Sequence, residues 1–283
     1  MNANRYEWWY LHFVTPSLGV SMVFHQTDIF GHAKAPYMSL SYSTGDGRRA
    51  YHRASLSEDP LEVEAKLLIP GVLVESESQI DLCATFDTAK ITGTIEKLSC
   101  PIAVNKGLLF QDTDGKQSDW IVHVPHARFK GRLVDNGVET EIDAHAYVDH
   151  QFGSIPIQEF LREWVWGVYS NHEETHGFFR IVTNRNQIID RGFACTSTRH
   201  DCSTTIREDF LHQIASVADP KNARFFPTIE INDVRLMPGL SPDSLVRERM
   251  NETHDTFIFD YLRWFGAESG GRVGFTEFMR IRR

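Results

Sequence analysis

The chain has 283 residues, 41% hydrophobic, 12% aromatic and 24% charged, a globular composition long enough for about two domains or one large all-β unit. Its 29 Lys and Arg against 38 Asp and Glu leave a formal net charge of -9, which argues against a phosphate-tracking surface and therefore against nucleic acid as a partner. No apolar run approaches the roughly 18 residues needed to cross a bilayer, and the opening MNANRYEWWY has no basic segment followed by an apolar stretch. The expectation is a cytoplasmic protein with no transmembrane segment.

Period-two alternation predicts short strands over Glu7–Val14, Gly19–Phe30, Tyr37–Ser43, Leu61–Ile69, Gln79–Phe86 and Ile91–Leu98. Turn residues punctuate them, as at Thr44-Gly45-Asp46-Gly47 and Ile69-Pro70-Gly71. Asn136-Gly137 is the clearest turn, because a tight hairpin takes positive φ angles there, and it predicts antiparallel pairing of Arg128–Val134 with Val138–Val148. Ser154–Glu163 holds a proline and then Ile157-Gln158-Glu159-Phe160, which reads as a short helix or loop at a domain junction. Domains are accordingly expected over 1–155 and 156–283. Strands resume at Trp164–Ser170, Phe178–Thr183, Gln187–Cys195, Phe226–Asn232, Thr256–Phe265 and Arg272–Arg282. Helices are expected over Thr204–Ile214 and over Ser241–Asn251, where Ser241 can cap and Pro242 takes the first helical position. There is no βα alternation and no glycine-rich phosphate loop, so the fold class is all-β and mainly antiparallel. Two antiparallel barrels or sandwiches in series would dispose of the sheet edges.

Cys83, Cys100, Cys195 and Cys202 are too few and too irregularly spaced for a disulfide framework, and none forms a CxxC pair. His172-Glu173-Glu174-Thr175-His176 matches the zinc-protease signature HExxH, which requires both histidines on one face of a helix. Its flanks read as strands and Asn171 and Gly177 as turn residues, so a charged hairpin loop is the better account and no metal site is expected. Asp112-Thr113-Asp114-Gly115 lacks the glycine and glutamate spacing of a calcium loop and reads as a turn.

Tyr6-Glu7-Trp8-Trp9-Tyr10 packs four rings and a carboxylate into five residues, and Trp164 and Trp166 share a strand face. For any single ring core filling is the simplest account, but a carboxylate buried among tryptophans must be paired, hydrogen-bonded or protonated. Along the strand that follows the Asn-Gly turn, Glu139, Glu141, Asp143, His145, Tyr147, Asp149 and Gln151 alternate onto one face. Ile142, Ala144, Ala146, Val148, His150 and Phe152 take the other. Asp149 and His150 therefore reach one cavity only if a bulge or the bend at Gly153 intervenes.

Glu7-Trp8-Trp9-Tyr10, Pro125-x-Ala127-x-Phe129-x-Gly131, Tyr147-x-Asp149-His150-Gln151-Phe152-Gly153, Trp164-x-Trp166 and Gly274-Phe275-Thr276-Glu277 together resemble the hydroxyneurosporene synthase (carotenoid hydratase) superfamily over nearly the whole chain. That family has two lipocalin-like β-barrels in tandem, and the fungal decalin-forming Diels–Alderases are similar to it. The resemblance implies a cofactor-independent enzyme that cyclises, isomerises or hydrates an olefinic terpenoid or polyene, with no metal or organic cofactor. It maps catalysis onto Tyr147 and Asp149. Asp149 is the candidate general acid, with Tyr147 or His150 to orient it and Glu7 as a further catalytic candidate. Trp8, Trp9, Tyr10, Gln151, Phe152, Trp164, Trp166 and Glu277 are expected to line the substrate, their rings offering negative faces to a cation. The alternative is a lipocalin-type carrier that binds an apolar small molecule without catalysis.

Overall fold

The computed structural model describes residues 6–27, 30, 35–57, 61–63, 66–196, 203–206, 213–217, 226–231, 234–235, 246–253, 257–267 and 272–283. The first half contains β1 (Tyr6–Val14), β2 (Leu18–Thr27), β3 (Tyr37–Thr44), β4 (Arg49–Ser55), β5 (Leu61–Val63), β6 (Lys66–Ile69), β7 (Leu73–Glu75), β8 (Gln79–Thr85), β9 (Ala89–Lys97), β10 (Leu108–Gln111), β11 (Gln117–Asp135) and β12 (Val138–Gly153). After the single turn α1 (Ile157–Phe160) come β13 (Leu161–Ser170), β14 (Glu174–Thr183), β15 (Ile188–Thr196), β16 (Ser203–Ile206), β17 (Gln213–Val217), β18 (Phe226–Ile231), β19 (Val234–Arg235), β20 (Val246–Thr253), β21 (Ile258–Ala267) and β22 (Val273–Arg282). All the paired strands run antiparallel, and the all-β expectation holds.

Three sheets result among the described residues. The first has the order β4-β3-β2-β1-β12-β11-β9-β8-β7-β6-β5 with β10 beside β11, the second the order β16-β15-β14-β13-β22-β21-β20, and β17-β18-β19 form a third. The change from first to second sheet falls between Gly153 and Leu161. Asn136 and Gly137 adopt φ of 48° and 81°, as a tight turn between the long strands β11 and β12 requires.

Two cores explain why β1 is apolar on both faces. Trp9, Leu11 and Phe13 join a cluster that draws Leu40 from near one end of the first sheet and Leu67 and Ile69 from near the other, so this sheet curls around its own core. Tyr6, Trp8 and Tyr10 point the opposite way, into a second cluster with Tyr147, Trp164, Trp166, Phe179 and Phe275 that joins the first sheet to the second. All nine residues of β1 are consequently buried. The alternation in this strand sorts side chains between two cores rather than between core and water.

Several sequence-based expectations need correction. Val246–Asn251, placed in a helix, is strand β20 paired with β21, and Thr204–Ile206 lies in β16 paired with β15; Ile214 lies in β17. Ladder pairing there outweighs a plausible capping sequence, a context effect that local propensity does not contain. Residues 207–212 and 241–245 of those two expected helices lie outside the described residues. Leu61–Ile69 is a hairpin of β5 on β6 instead of one strand. Strand β4 had no signal, because Arg49–Ser55 alternates between exposed and half-exposed and carries no apolar stripe.

In the second sheet, glycines stand opposite aromatic rings that fold over them: Gly167 opposite Phe178, Gly177 opposite Phe193, and Gly274 opposite Tyr169. A methyl group on Gly274 would fall 1.9 Å from the Tyr169 ring, whose hydroxyl bonds to Thr276. Gly274→Ala is expected to destabilise the fold by about 1–3 kcal/mol, measured by denaturant unfolding. An unchanged midpoint would show that the ring moves aside freely.

Candidate functional site

Strand register builds the site from pairs. In the first sheet Tyr10 stands opposite Asp149 and Trp8 opposite Gln151; in the second, Trp166 stands opposite Glu277, which in turn stands opposite Arg263. These rows face one another across the join between the sheets. They enclose a cavity of about 270 Å³, counted out to its open mouth, lined by Trp8, Tyr10, Asp149, Gln151, Trp164, Trp166, Phe179 and Glu277.

The strand behind the site is irregular in a way that matters. β11 slips against β12 between Val122 and Val124 and again between Val124 and Ala127, around Pro125, which has no N–H to give a ladder. Val124 therefore leaves the face it would share with Trp120 and Val122, which lie in the core between the sheets, and joins Ala127 and Phe129 in the core of the first sheet. Trp120 stands opposite Gln151, on the face that carries Asp149, and its indole reaches the Asp149 carboxyl.

Asp149 is fully buried. Its Oδ2 accepts hydrogen bonds from the Tyr147 hydroxyl at 2.8 Å and from Trp120 Nε1 at 3.1 Å. Oδ1 has no hydrogen-bond partner. Burial pushes the carboxyl up from its ordinary 3.8 to about 7; the Tyr147 and Trp120 bonds pull against this, and the charge of Glu277 adds to it. Burial beside Asp149 likewise holds the Tyr147 phenol well above its usual value, so it remains a donor.

Glu277 is the second carboxyl in the wall. Its Oε1 accepts from Tyr10 at 3.2 Å and from Arg263 Nε and Nη2 at 3.0 and 2.8 Å. Arg263 also reaches Ser21 and Tyr261, so this one guanidinium ties β21 to β22 and to the first sheet. His12 lies close by, stacked on Tyr147 with ring centroids 5.2 Å apart; burial and then the charge of Arg263 lower its pKa to about 3, so it is neutral.

The twelve sequence-derived candidates divide into two groups. Asp149, Tyr147, Trp8, Tyr10, Gln151, Trp164, Trp166 and Glu277 converge between the sheets. Glu7, Trp9, His150 and Phe152 have the opposite parity. His150 stacks on Trp9 at 4.2 Å, meets Glu7 Oε1 at 3.2 Å and packs on Phe152 at 4.7 Å. No bulge in β12 or bend before Gly153 brings this second group round to Asp149. Trp120, Arg263, His12 and Phe179 belong to the site without having been singled out. Trp120 acquires its role only from the register of β11 on β12, and Arg263 only from the register of β21 on β22.

The HExxH segment forms the predicted hairpin: residues 171–173 turn between β13 and β14, and His176 lies within β14. Glu174 pairs with Arg272 and His176, while the His172 ring lies 5.5 Å from that of His145. Among the described residues no group of three or more His, Cys, Asp or Glu side chains is arranged to hold a metal ion. Nor is any helix among them long and apolar enough to cross a membrane.

No family model matches the chain, and no curated protein matches it in sequence. Solved structures do share its fold. An AttH candidate from Nitrosomonas europaea superposes with a TM-score of 0.59 at 12% identity, covering 100% of this chain and 93% of its own. CghA with Sch210972 superposes with a TM-score of 0.57 at 11% identity, covering 99% and 89%; a second CghA structure gives 0.51 at 10% identity, covering 99% and 88%. At these identities the likeness is one of fold alone.

Proposed function

We propose that this chain is a cofactor-independent enzyme that acts on the C=C bond of a hydrophobic substrate in the cavity between its two large sheets, with Asp149 as general acid. The chain is read as two domains, 1–155 and 156–283, with the reaction at their join. The observation that carries the proposal is the one-sided environment of Asp149. Both donors end on Oδ2, so the proton of the neutral carboxyl belongs on Oδ1, the oxygen with no partner. A carboxyl pushed up to about 7 holds that proton at neutral pH and is still acidic enough to give it up. The rings of Trp8, Trp164, Trp166 and Phe179 line the same cavity, where aromatic rings stabilise a cation formed beside them.

A carrier for an apolar ligand has no use for two carboxyls in its wall and would bear the cost of desolvating them. The cavity is much smaller than a pocket that encloses a whole ligand, so in this reading it takes only the reacting end of a substrate whose remainder extends through the mouth. Two likenesses support the reading: the sequence motifs shared with the carotenoid hydratase superfamily and its decalin-forming relatives, and the shared fold with CghA, solved with Sch210972. Infrared titration tests it without a substrate. A protonated-carboxyl band that disappears with a midpoint near pH 7, and is absent from Asp149→Asn, is the expected result; titration of Asp149 near pH 4 would remove the acid.

A further inference from the structure

We infer that Glu277 is the counter-charge and terminal base for a cationic centre formed in this cavity, which makes the reaction a proton-in, proton-out isomerisation or cyclisation of an olefin. This rests on the reading of Asp149 as the acid, and it assigns the opposite sheet a chemical part of its own. All three hydrogen bonds to Glu277 end on Oε1, which leaves Oε2 for the cavity that Glu277 lines. Arg263 pairs with Glu277 at 2.8 Å but does not itself line the cavity. The two carboxyls thus share one space in different surroundings, one bonded by a phenol and an indole and the other by a guanidinium, and unlike surroundings are what separate an acid from a base.

The proton balance closes without a co-reactant. The π pair of the alkene takes the proton from Asp149 Oδ1 to form a C–H bond, leaving a carboxylate and a carbocation. A C–H bond next to the cationic carbon then breaks: its electron pair forms the new C=C, or follows ring closure by a second alkene, and its proton goes to Glu277 Oε2. A carboxylate restrained by an arginine is a weak base, but the C–H bond beside a carbocation is a very strong acid. Transfer of one proton from Glu277 to Asp149, through solvent at the mouth, resets the site. Five of the eight lining residues are aromatic and the space is small, so a bound fragment displaces the water that hydration would need.

The stable analogue of such a cation is a tertiary ammonium. The probe is N,N-dimethylgeranylamine, protonated at pH 7.5, compared with its carbon isostere, in which CH replaces N–H; binding is read by quenching of tryptophan fluorescence and by calorimetry. The wild-type protein is expected to bind the ammonium about tenfold more tightly than the isostere. Glu277→Gln is expected to abolish or invert that preference, since it removes the negative charge and keeps the guanidinium of Arg263 beside the cavity. Should that variant fail to fold, the double variant Arg263→Gln/Glu277→Gln removes both buried charges together and is expected to bind the two probes equally. Equal binding by the wild type, failure of both probes to bind, or a preference that survives loss of Glu277 would each overturn the assignment. The infrared titration of Asp149 is read separately. A normal Asp149 with an intact ammonium preference refutes the acid alone, whereas a raised Asp149 without the preference refutes Glu277 alone.

Discussion

Asp149→Asn lowers turnover of the olefinic substrate by about 100- to 10,000-fold, the range usual for loss of a general acid–base group, while substrate affinity stays within a few-fold of wild type. The amide is close to isosteric. Its oxygen can accept the same Tyr147 and Trp120 hydrogen bonds that Oδ2 accepts, so the cavity keeps its shape. What it lacks is a proton acidic enough to reach an alkene. A role confined to shaping the substrate into a near-attack conformer predicts a far smaller loss, because shape survives the substitution. Isotopes separate the mechanisms further. Protonation in D2O leaves deuterium at carbon, whereas a concerted cycloaddition moves no proton, so deuterium-free product from an active enzyme eliminates the acid. Reaction in 18O-labelled water then tests Glu277. Deuterated product without 18O fits return of a proton to the protein, and an 18O-labelled alcohol makes the reaction a hydration and removes the base role.

The polar half of this site was legible because strand alternation is strict. Tyr147, Asp149 and Gln151 had to share a face, and the same parity assigned His150 and Phe152 to the other, where His150 stacks on Trp9 and Phe152 packs on His150. The parity of β1 separates Trp8 and Tyr10 from Glu7 and Trp9 in the same way, but a cluster of rings gives no reason to prefer one face when both are buried. Trp120 was illegible for a different reason. Its place beside Asp149 comes from the register of β11 on β12, and register is a property of the pair of strands rather than of either alone. Arg263 meets Glu277 only across a ladder between β21 and β22. The expected helices failed where ladder pairing, not local propensity, decided the backbone.

Asp149→Asn also makes the protein more stable than wild type in alkaline solution, by on the order of 3 kcal/mol at pH 8, and the gain fades as the pH falls toward 4. The folded protein holds the Asp149 proton up to about pH 7, and the unfolded chain releases it above about 3.8. Between those values the folded state binds more protons than the unfolded state, so this carboxyl costs stability as pH rises through the window. Above pH 7 the full cost of a buried carboxylate remains. An amide has no such dependence. Its own unpaired N–H2 group, at about 1–3 kcal/mol, offsets part of the gain equally at every pH. Histidines bend the absolute curves the other way. Burial holds His12 at about 3 and His145 at about 4, so the unfolded chain takes up protons below about 6.5 that the folded chain refuses, and both proteins lose stability in acid. His12 and His145 are common to wild type and variant and cancel in the difference. Chemical denaturation of the two proteins at pH 4, 6 and 8 measures it. A difference that grows with pH is expected, and one that stays flat would show that Asp149 ionises in the fold as easily as in water, leaving the site without its acid.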